Sequence, residues 1–349
     1  MEIGERLGEF MMVGFFGQEM DNSLAAHLRE LKPAGLIFFT RNIANPEQLA
    51  RLTKEAQSLA IQEFGRPLLL AIDQEGGTVA RLALPFTQIP DAVSLGLGGC
   101  ESVTQYYELA AKEMRQVGLN LNLAPVLDIN TGGPGGLMEK RSFGRDPSLV
   151  ARCGVAAIKA IQKHRIMATA KHFPGLGQAQ KDPHYDLPLV NASRAEMEQH
   201  ELLPFTAAGQ AGVDCMMTSH TLYPALDPEF PATFSSVTLR DLLRDKIGFS
   251  GVVITDDLDM GAVTGRYSPE DAAIGALRAG ADLLLVCNDM ENMRLALEAL
   301  HRGLDRGLLD TETLAVSLTR VEKLRDTYLR PLTLANPAKV ASAFGKKAS

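Results

Sequence analysis

Asp182 and His184 stand two positions apart in the stretch Lys171-His172-Phe173-Pro174-Gly175-Leu176-Gly177-Gln178-Ala179-Gln180-Lys181-Asp182-Pro183-His184. In an extended segment, residues i and i+2 point the same way. Asp182 can therefore hold one nitrogen of the His184 ring while the other nitrogen faces a substrate. Imidazole titrates near neutrality, so it can give a proton and take one back. A carboxylate on its far nitrogen fixes the tautomer and stabilises imidazolium. Ahead of the pair, Lys171 and His172 end an apolar run, Ile166 to Phe173, that reads as a buried strand. Pro174, Gly175 and Gly177 mark the loop that leaves it. A His-Asp pair on a loop is often only a solvated turn. The chemistry gains weight because other polar clusters also follow apolar runs.

Those clusters are Arg41-Asn42, Asp73 with Glu75, Asp128 with the later Arg141, His220, and Asp256. The runs that precede the clusters belong to a series of eight: Met11–Phe16, Gly35–Phe39, Pro67–Ile72, Asn120–Ala124, Met167–Phe173, Cys215–Met217, Gly251–Ile254 and Asp282–Val286. Helical patterns alternate with them: Asp21–Leu31, Asn45–Ile61 with Pro46 at its first position, Ser102–Val117, Asp146–His164, Ser193–Gly209, Ser236–Asp245, Pro269–Gly280, Met290–Arg302 and Asp310–Leu329. Continuous apolar runs suit parallel strands buried on both faces. Eight such units predict a (β/α)8 TIM-type barrel forming a single domain over residues 1–335, with 336–349 as a polar, weakly ordered C-terminal tail. A doubly wound open sheet is the alternative, and the first βα turn lacks the GxGxxG expected of a dinucleotide fold. In a barrel the clusters fall on the carboxyl rim, where active sites lie. Several charged clusters on one rim exceed what solvation of strand ends requires.

Individual members have plainer readings. Asp256-Asp257 can cap the next helix. Asp73-Gln74-Glu75-Gly76-Gly77 can be a polar turn with glycine supplying unusual backbone angles. Arg141 can pair with a nearby acid, and His220 reads as a rim histidine supporting other groups. His27, His164, His200 and His301 fall in helical patterns and read as surface residues.

Bulk properties narrow the class. The 349 residues are 46% hydrophobic and 22% charged, with a net charge of −7. This is a soluble globular composition, and the acidic balance argues against nucleic acid or an anionic membrane as partner. No run reaches the roughly 18 apolar residues of a membrane span. The N-terminus shows no signal peptide, so the cytoplasm is the expected location. The four cysteines are dispersed, without a CxxC pair, and Cys215 and Cys287 read as buried thiols. No HxH or HExxH pattern occurs, so no metal site is expected.

Taken together, the motifs resemble the family 3 glycoside hydrolases, in particular their single-domain β-N-acetylhexosaminidases of cell-wall recycling. The resemblance spans about residues 3–330. It rests on Gly35-Leu-Ile-Phe-Phe-Thr-Arg-Asn42, Asp73-Gln-Glu-Gly-Gly-Thr-Val-Ala-Arg81, Asn122-Leu-Ala-Pro-Val-Leu-Asp128 and Arg141-Ser-Phe-Gly144. The Lys171–His184 loop, Met217-Thr-Ser-His220 and Thr255-Asp-Asp-Leu-Asp-Met260 complete it. It implies Asp256 as nucleophile, His184 as general acid/base and Asp182 as its dyad partner. It further implies that Asp73, Arg81, Arg141, Lys171 and His172 hold the sugar hydroxyls and acetamido group, with no metal or organic cofactor. Two positions depart from the family pattern. Leu176 replaces the histidine of Pro-Gly-His-Gly, and Pro183 replaces the serine of Asp-Ser-His, so loop packing and substrate fit are where this chain differs.

The chemistry of the residues agrees with that assignment. A retaining glycosidase needs a nucleophile on one side of the anomeric carbon and a proton donor on the other. Lys171 or Arg141 nearby would keep Asp256 ionised. The expected activity is exo-hydrolysis of terminal β-linked N-acetylglucosamine from peptidoglycan fragments by a monomer that acts on small carbohydrates. Three other catalytic readings stand beside it. A neutral His184 would tolerate incoming phosphate in a phosphorylase, the chain could be a β-glucosidase of the same family, and Lys171 could form the Schiff base of an aldolase. A sugar-binding barrel without turnover is the non-enzymatic reading.

Overall fold

In the strands, neighbouring residues pack into different layers, which explains their uninterrupted hydrophobicity. The computed structural model describes residues 2–132, 136–179, 182–183 and 186–345. Within it, Ile37, Leu69, Ala71, Leu121, Met167, Met217 and Leu285 belong to one cluster of buried side chains. Their chain neighbours Leu36, Phe38, Leu70, Ile72, Ala168, Met216 and Leu284 belong to another, shared with the helices. The first cluster fills a barrel and the second glues helices to its outside. Both faces of the strands are therefore largely apolar, as parallel strands in a barrel require, with Asn122 a polar exception.

The barrel strands are β1 (Met11–Val13), β2 (Gly35–Phe38), β3 (Leu69–Ile72), β6 (Leu121–Asn122), β7 (Met167–Phe173), β8 (Cys215–Thr218), β9 (Val252–Asp257) and β10 (Leu283–Val286). They pair in parallel, in chain order, and β10 returns to β1 to close the barrel. All eight expected runs contribute a strand. A short antiparallel pair, β4 (Gln74–Gly76) and β5 (Val79–Ala80), sits beyond β3.

Helices α1 (Asn22–Leu31), α2 (Pro46–Phe64), α3 (Ala92–Gln116), α4 (Pro147–Lys163), α5 (Arg194–Gln199), α6 (Leu202–Gln210), α7 (Gly261–Thr264), α8 (Pro269–Ala279), α9 (Met290–Asp305) and α10 (Thr311–Leu329) connect or cover the strands. Side chains of Asp21, Asn45, Asp91, Asp146, Ser268, Asp289 and Asp310 cap free N–H groups at the starts of α1, α2, α3, α4, α8, α9 and α10. Such capping satisfies donors that no turn of helix can reach. Val321, Leu324, Tyr328 and Leu329 of α10 join the barrel-filling cluster. Tyr328 Oη donates to Asp214 Oδ2 at 2.7 Å just before β8, which places α10 at the amino end of the barrel.

The structure departs from the sequence reading in four places. The helix expected from Ser102 begins at Ala92, and Gly99, at φ 81°, breaks its regular geometry. Glycine is a poor helix former, but Gly96 lies so close to the Phe143 carbonyl oxygen that a side chain would clash. The helix expected over Ser193–Gly209 is two helices. Pro204 has no N–H and disfavours helix in the residue before it, so it sits in the first turn of α6 rather than inside a continuous helix. The segment Val237–Lys246 is helical, as expected, but wound as a π-helix. The described part of the presumed tail is also ordered. Pro337–Gly345 forms helix α11, Val340 and Phe344 are buried, and the Phe344 ring lies 4.8 Å from that of Phe86. The apolar pair, four residues apart, gives this polar segment one face to bury.

Candidate active site

Glu75 is the hub of the carboxyl rim. Its chain turns sharply after β4, where Gly76 and Gly77 have φ of 112° and 55°, and a Cβ on either would run into Ile89–Asp91. Gln74 locks the hairpin from inside, because its Oε1 accepts the N–H groups of Arg81 and Leu82. Asn122 Oδ1 accepts the Gln74 N–H, tying the hairpin to β6. Glu75 then meets Arg141 through two parallel bonds of 2.9 and 2.8 Å and Lys171 Nζ at 2.7 Å. Its carboxylate is buried, which alone would raise its pKa. Lys171 and Arg141 reverse that and hold it far below the ordinary carboxylate range.

Lys171 belongs to the β7 alternation that turns Met167 toward the barrel interior, and its Nζ also donates to Asp73 Oδ1 at 2.8 Å. Burial opposes its charge, but Asp73 and Glu75 more than compensate, so its pKa is raised. A neutral lysine is what a Schiff base needs, and the doubly paired Lys171 does not provide one. Arg81 Nη2 reaches Asp73 Oδ2 at 3.4 Å. Asp73, Arg81, Arg141 and Lys171 thus converge on one polar well.

His172 carries the network across to Asp256. Its Nδ1 lies 2.6 Å from Asp128 Oδ2, which is fully buried, while its Nε2 is 3.5 Å from Arg141 Nη2 and 4.0 Å from Asp256 Oδ2. Asp128 also accepts the N–H groups of His172 and Leu176. Asp256 stands near the end of β9 with its side chain 19% exposed, and Oδ1 accepts the Asp257 N–H. Burial would raise the pKa of Asp256. His172, His220, the Asp257 N–H and Lys171 outweigh it and keep the carboxyl below its usual range. Arg141, expected to share that task, is instead engaged by Glu75. His220 is buried, with Nδ1 2.8 Å from Thr233 Oγ1 and Nε2 3.0 Å from the Asp257 carbonyl oxygen, so it braces the strand end.

Asp257 differs from its neighbour. Burial, then Asp259 and Asp256, push its carboxyl up to about 7. Its Oδ1 accepts N–H groups from Asp259 and Cys287, and Oδ2 accepts from Asn288 Nδ2. It therefore pins the β9 end to the β10 end, and its role is not helix capping. Arg41 does similar work between β1, β2 and β10. It donates to the carbonyls of Phe15 and Cys287 and lies between the rings of Phe16 and Phe39.

The loop after β7 is described only in part. His184 lies outside the described residues. Asp182 and Pro183 lie within them, and the Pro183 carbonyl accepts the Ala262 N–H at 3.0 Å, next to the loop that follows Asp256. Leu176 is buried with Val126 and Met138. Glu75 and Asp128 were visible as rim charges, but their central roles were not assigned from the sequence. His27 is a correction: it is buried rather than on the surface, because Leu24, His27, Leu28 and Leu31 share the inward face of α1. A groove of about 810 Å³ lined by Arg6, Glu9, Arg66 and Arg325 lies at the opposite, amino end, away from these groups.

A partly exposed carboxylate held below its usual range beside a histidine, in a well lined by paired charges at the carboxyl end of a barrel, is an arrangement suited to a hydrolase. Residues 2–324 match the "Glycosyl hydrolase family 3 N terminal domain", and the chain belongs to that family. It is 39% identical over 281 residues to a β-hexosaminidase of Pseudomonas aeruginosa (strain LESB58), covering 79% of this chain and 81% of the relative. A family 3 β-N-acetylglucosaminidase from Paenibacillus sp. str. FPU-7 superposes with a TM-score of 0.93 at 34% identity, covering 99% of this chain and 69% of that one. Native NagZ from Neisseria gonorrhoeae gives a TM-score of 0.79 at 30% identity, covering 97% and 95%. The chain is a glycoside hydrolase of the β-hexosaminidase type.

Proposed function

We propose that the protein removes terminal β-linked N-acetylglucosamine by a retaining mechanism, with peptidoglycan fragments as substrates and the cytoplasm as its location. The observation that carries this reading is Asp256, kept ionised by its neighbours and partly open to the well. In the first step a carboxylate oxygen of Asp256 attacks the anomeric carbon. The glycosidic bond breaks, and His184, oriented by Asp182, gives its proton to the departing oxygen. In the second step His184 takes a proton from water, the water oxygen attacks the same carbon, and the bond to Asp256 breaks. Asp73, Arg81, Arg141, Lys171 and His172 hold the hydroxyl and acetamido groups of the sugar. Their pairing with one another supports that role, since such groups are preorganised before the substrate arrives.

The test is release of nitrophenol from the β-N-acetylglucosaminide and from the β-glucoside in phosphate-free buffer. Turnover of the first alone, with free N-acetylglucosamine as product, is expected. Equal turnover of both would overturn the sugar assignment. A sugar phosphate appearing only when phosphate is added would replace hydrolysis with phosphorolysis.

A further inference from the structure

Two thiols outside the site touch each other. Cys100 on α3 and Cys153 on α4 have their sulfurs 3.3 Å apart and are separated by 53 positions in the chain. Cys153 is fully buried in the outer core, whereas Cys100 is partly exposed. One member of the pair is therefore partly accessible from solvent, and the other touches it from within the core. Cys215 and Cys287 differ, because both are buried in the barrel-filling cluster. Burial, then the neighbouring Cys100 sulfur, push the Cys153 thiol up, and the greater exposure of Cys100 makes it the residue an external reagent meets first.

The surroundings permit the short approach a bond requires. Sulfurs in a disulfide are about 2.05 Å apart, so the pair must close by a little over an ångström. Gly98 and Gly99 immediately precede Cys100. At Gly99 the backbone leaves regular helical geometry, and there is open space where a side chain would stand. The start of the second half of α3 can therefore shift without displacing a packed neighbour at that point.

We propose that Cys100 and Cys153 are a site of reversible oxidation that forms an internal disulfide, with a low-molecular-weight disulfide as oxidant. The Cys100 thiolate attacks one sulfur of the oxidant, its S–S bond breaks, and one small thiolate leaves. Cys153 loses its proton and attacks the Cys100 sulfur, and the second small thiolate leaves. Two protein thiols lose two electrons, and the oxidant becomes two thiols that take up the two cysteine protons. The bond closes a loop that contains Asp128 and Arg141. It therefore ties together the two helices flanking the segment from which Arg141 reaches Glu75.

The experiment treats the folded full chain with excess oxidised glutathione, quenches with acid, alkylates free thiols after denaturation and reads the mass. Two of the four cysteines are expected to resist alkylation, with no glutathione attached, and digestion should give the Cys100 peptide joined to the Cys153 peptide. Dithiothreitol should restore four alkylated thiols. In Cys153→Ala, or Cys153→Ser should alanine leave too large a gap, glutathione should remain on Cys100. A stable glutathione adduct on the unsubstituted protein would overturn the proposal, because Cys153 would then have failed to resolve it. So would four free thiols after treatment, or a Cys153 variant that acquires no adduct.

Discussion

Glu75→Gln removes one negative charge from a buried cluster and changes little else in shape. In the native protein that charge faces Arg141 twice and Lys171 once, at 2.7 to 2.9 Å. An amide can accept from one of these cations, but its NH2 must then point at the other. Removing one partner of a buried ion pair costs roughly 3–5 kcal/mol, because the remaining charge stays desolvated. Lys171 retains Asp73, so the lower half of that range is expected, about 3 kcal/mol. For a chain of this size, at about 2.1 cal/mol/K of unfolding entropy per residue, that corresponds to a fall in Tm of roughly 4 °C. The pH dependence distinguishes a charge effect from a packing defect. The Glu75 pKa is depressed on folding, so its contribution is complete above its ordinary value of 4.5 and is lost as pH falls through the depressed native value. Thermal unfolding of wild type and variant from pH 7 downward should give curves that converge in acid. The kcat/KM of the variant should fall as well, because Arg141 and Lys171 lose their common anchor. A Tm change under 2 °C with full activity would refute the placement of Glu75 at the centre of the site. A Tm gap constant down to the lowest usable pH would show that shape, not charge, is at stake.

Three further outcomes are expected. His184→Ala should slow hydrolysis severely for poor leaving groups and much less for an activated aryl glycoside; an equal loss with both would remove His184 from the acid role. Asp257→Asn should preserve the β9–β10 tie after a flip of the Asn288 amide. Because the native Asp257 pKa lies near 7, above its ordinary 3.8, its ionisation weakens the fold as pH rises through that interval. The wild type should therefore lose stability relative to the variant between about pH 4 and 7, and parallel unfolding curves across that range would contradict this. Phe344→Ala should destabilise the protein by about 3–5 kcal/mol, visible in denaturant unfolding, if α11 belongs to the folding unit; a change below about 0.5 kcal/mol would return that segment to the status of a tail.

The architecture was readable because it is written in contiguous residues, whereas much of the site is not. Each barrel strand needs two apolar faces, and that requirement leaves an unbroken run in the sequence. Lys171 and His172 were equally visible, because they follow such a run directly. Glu75 and Arg141 are 66 positions apart, and Asp128 and His172 are 44 apart. No local pattern joins them, and only barrel closure decides which rim charges meet. The β4–β5 hairpin was hidden for a related reason. It is held by Gln74 and Asn122, whose side chains replace backbone partners across 48 positions, and it has no apolar alternation of its own. Two misreadings were avoidable. His27 lies on the same helical face as Leu24, Leu28 and Leu31, and Val340 with Phe344 has the four-residue spacing of a docking helix.

Leu176 shows how a departure from a family pattern can leave a hydrogen bond at the rim in place. The interaction that position makes toward the site is its backbone N–H, which donates to Asp128 Oδ1 at 2.6 Å. Any residue except proline supplies that donor. The side chain turns away from Asp128 into a small apolar cluster with Val126 and Met138, where an imidazole would need a new hydrogen-bond partner. The carboxylate that holds His172 is therefore served equally by leucine. The path from Asp128 through His172 to Asp256 takes a backbone donor from position 176 and no side-chain atom of Leu176.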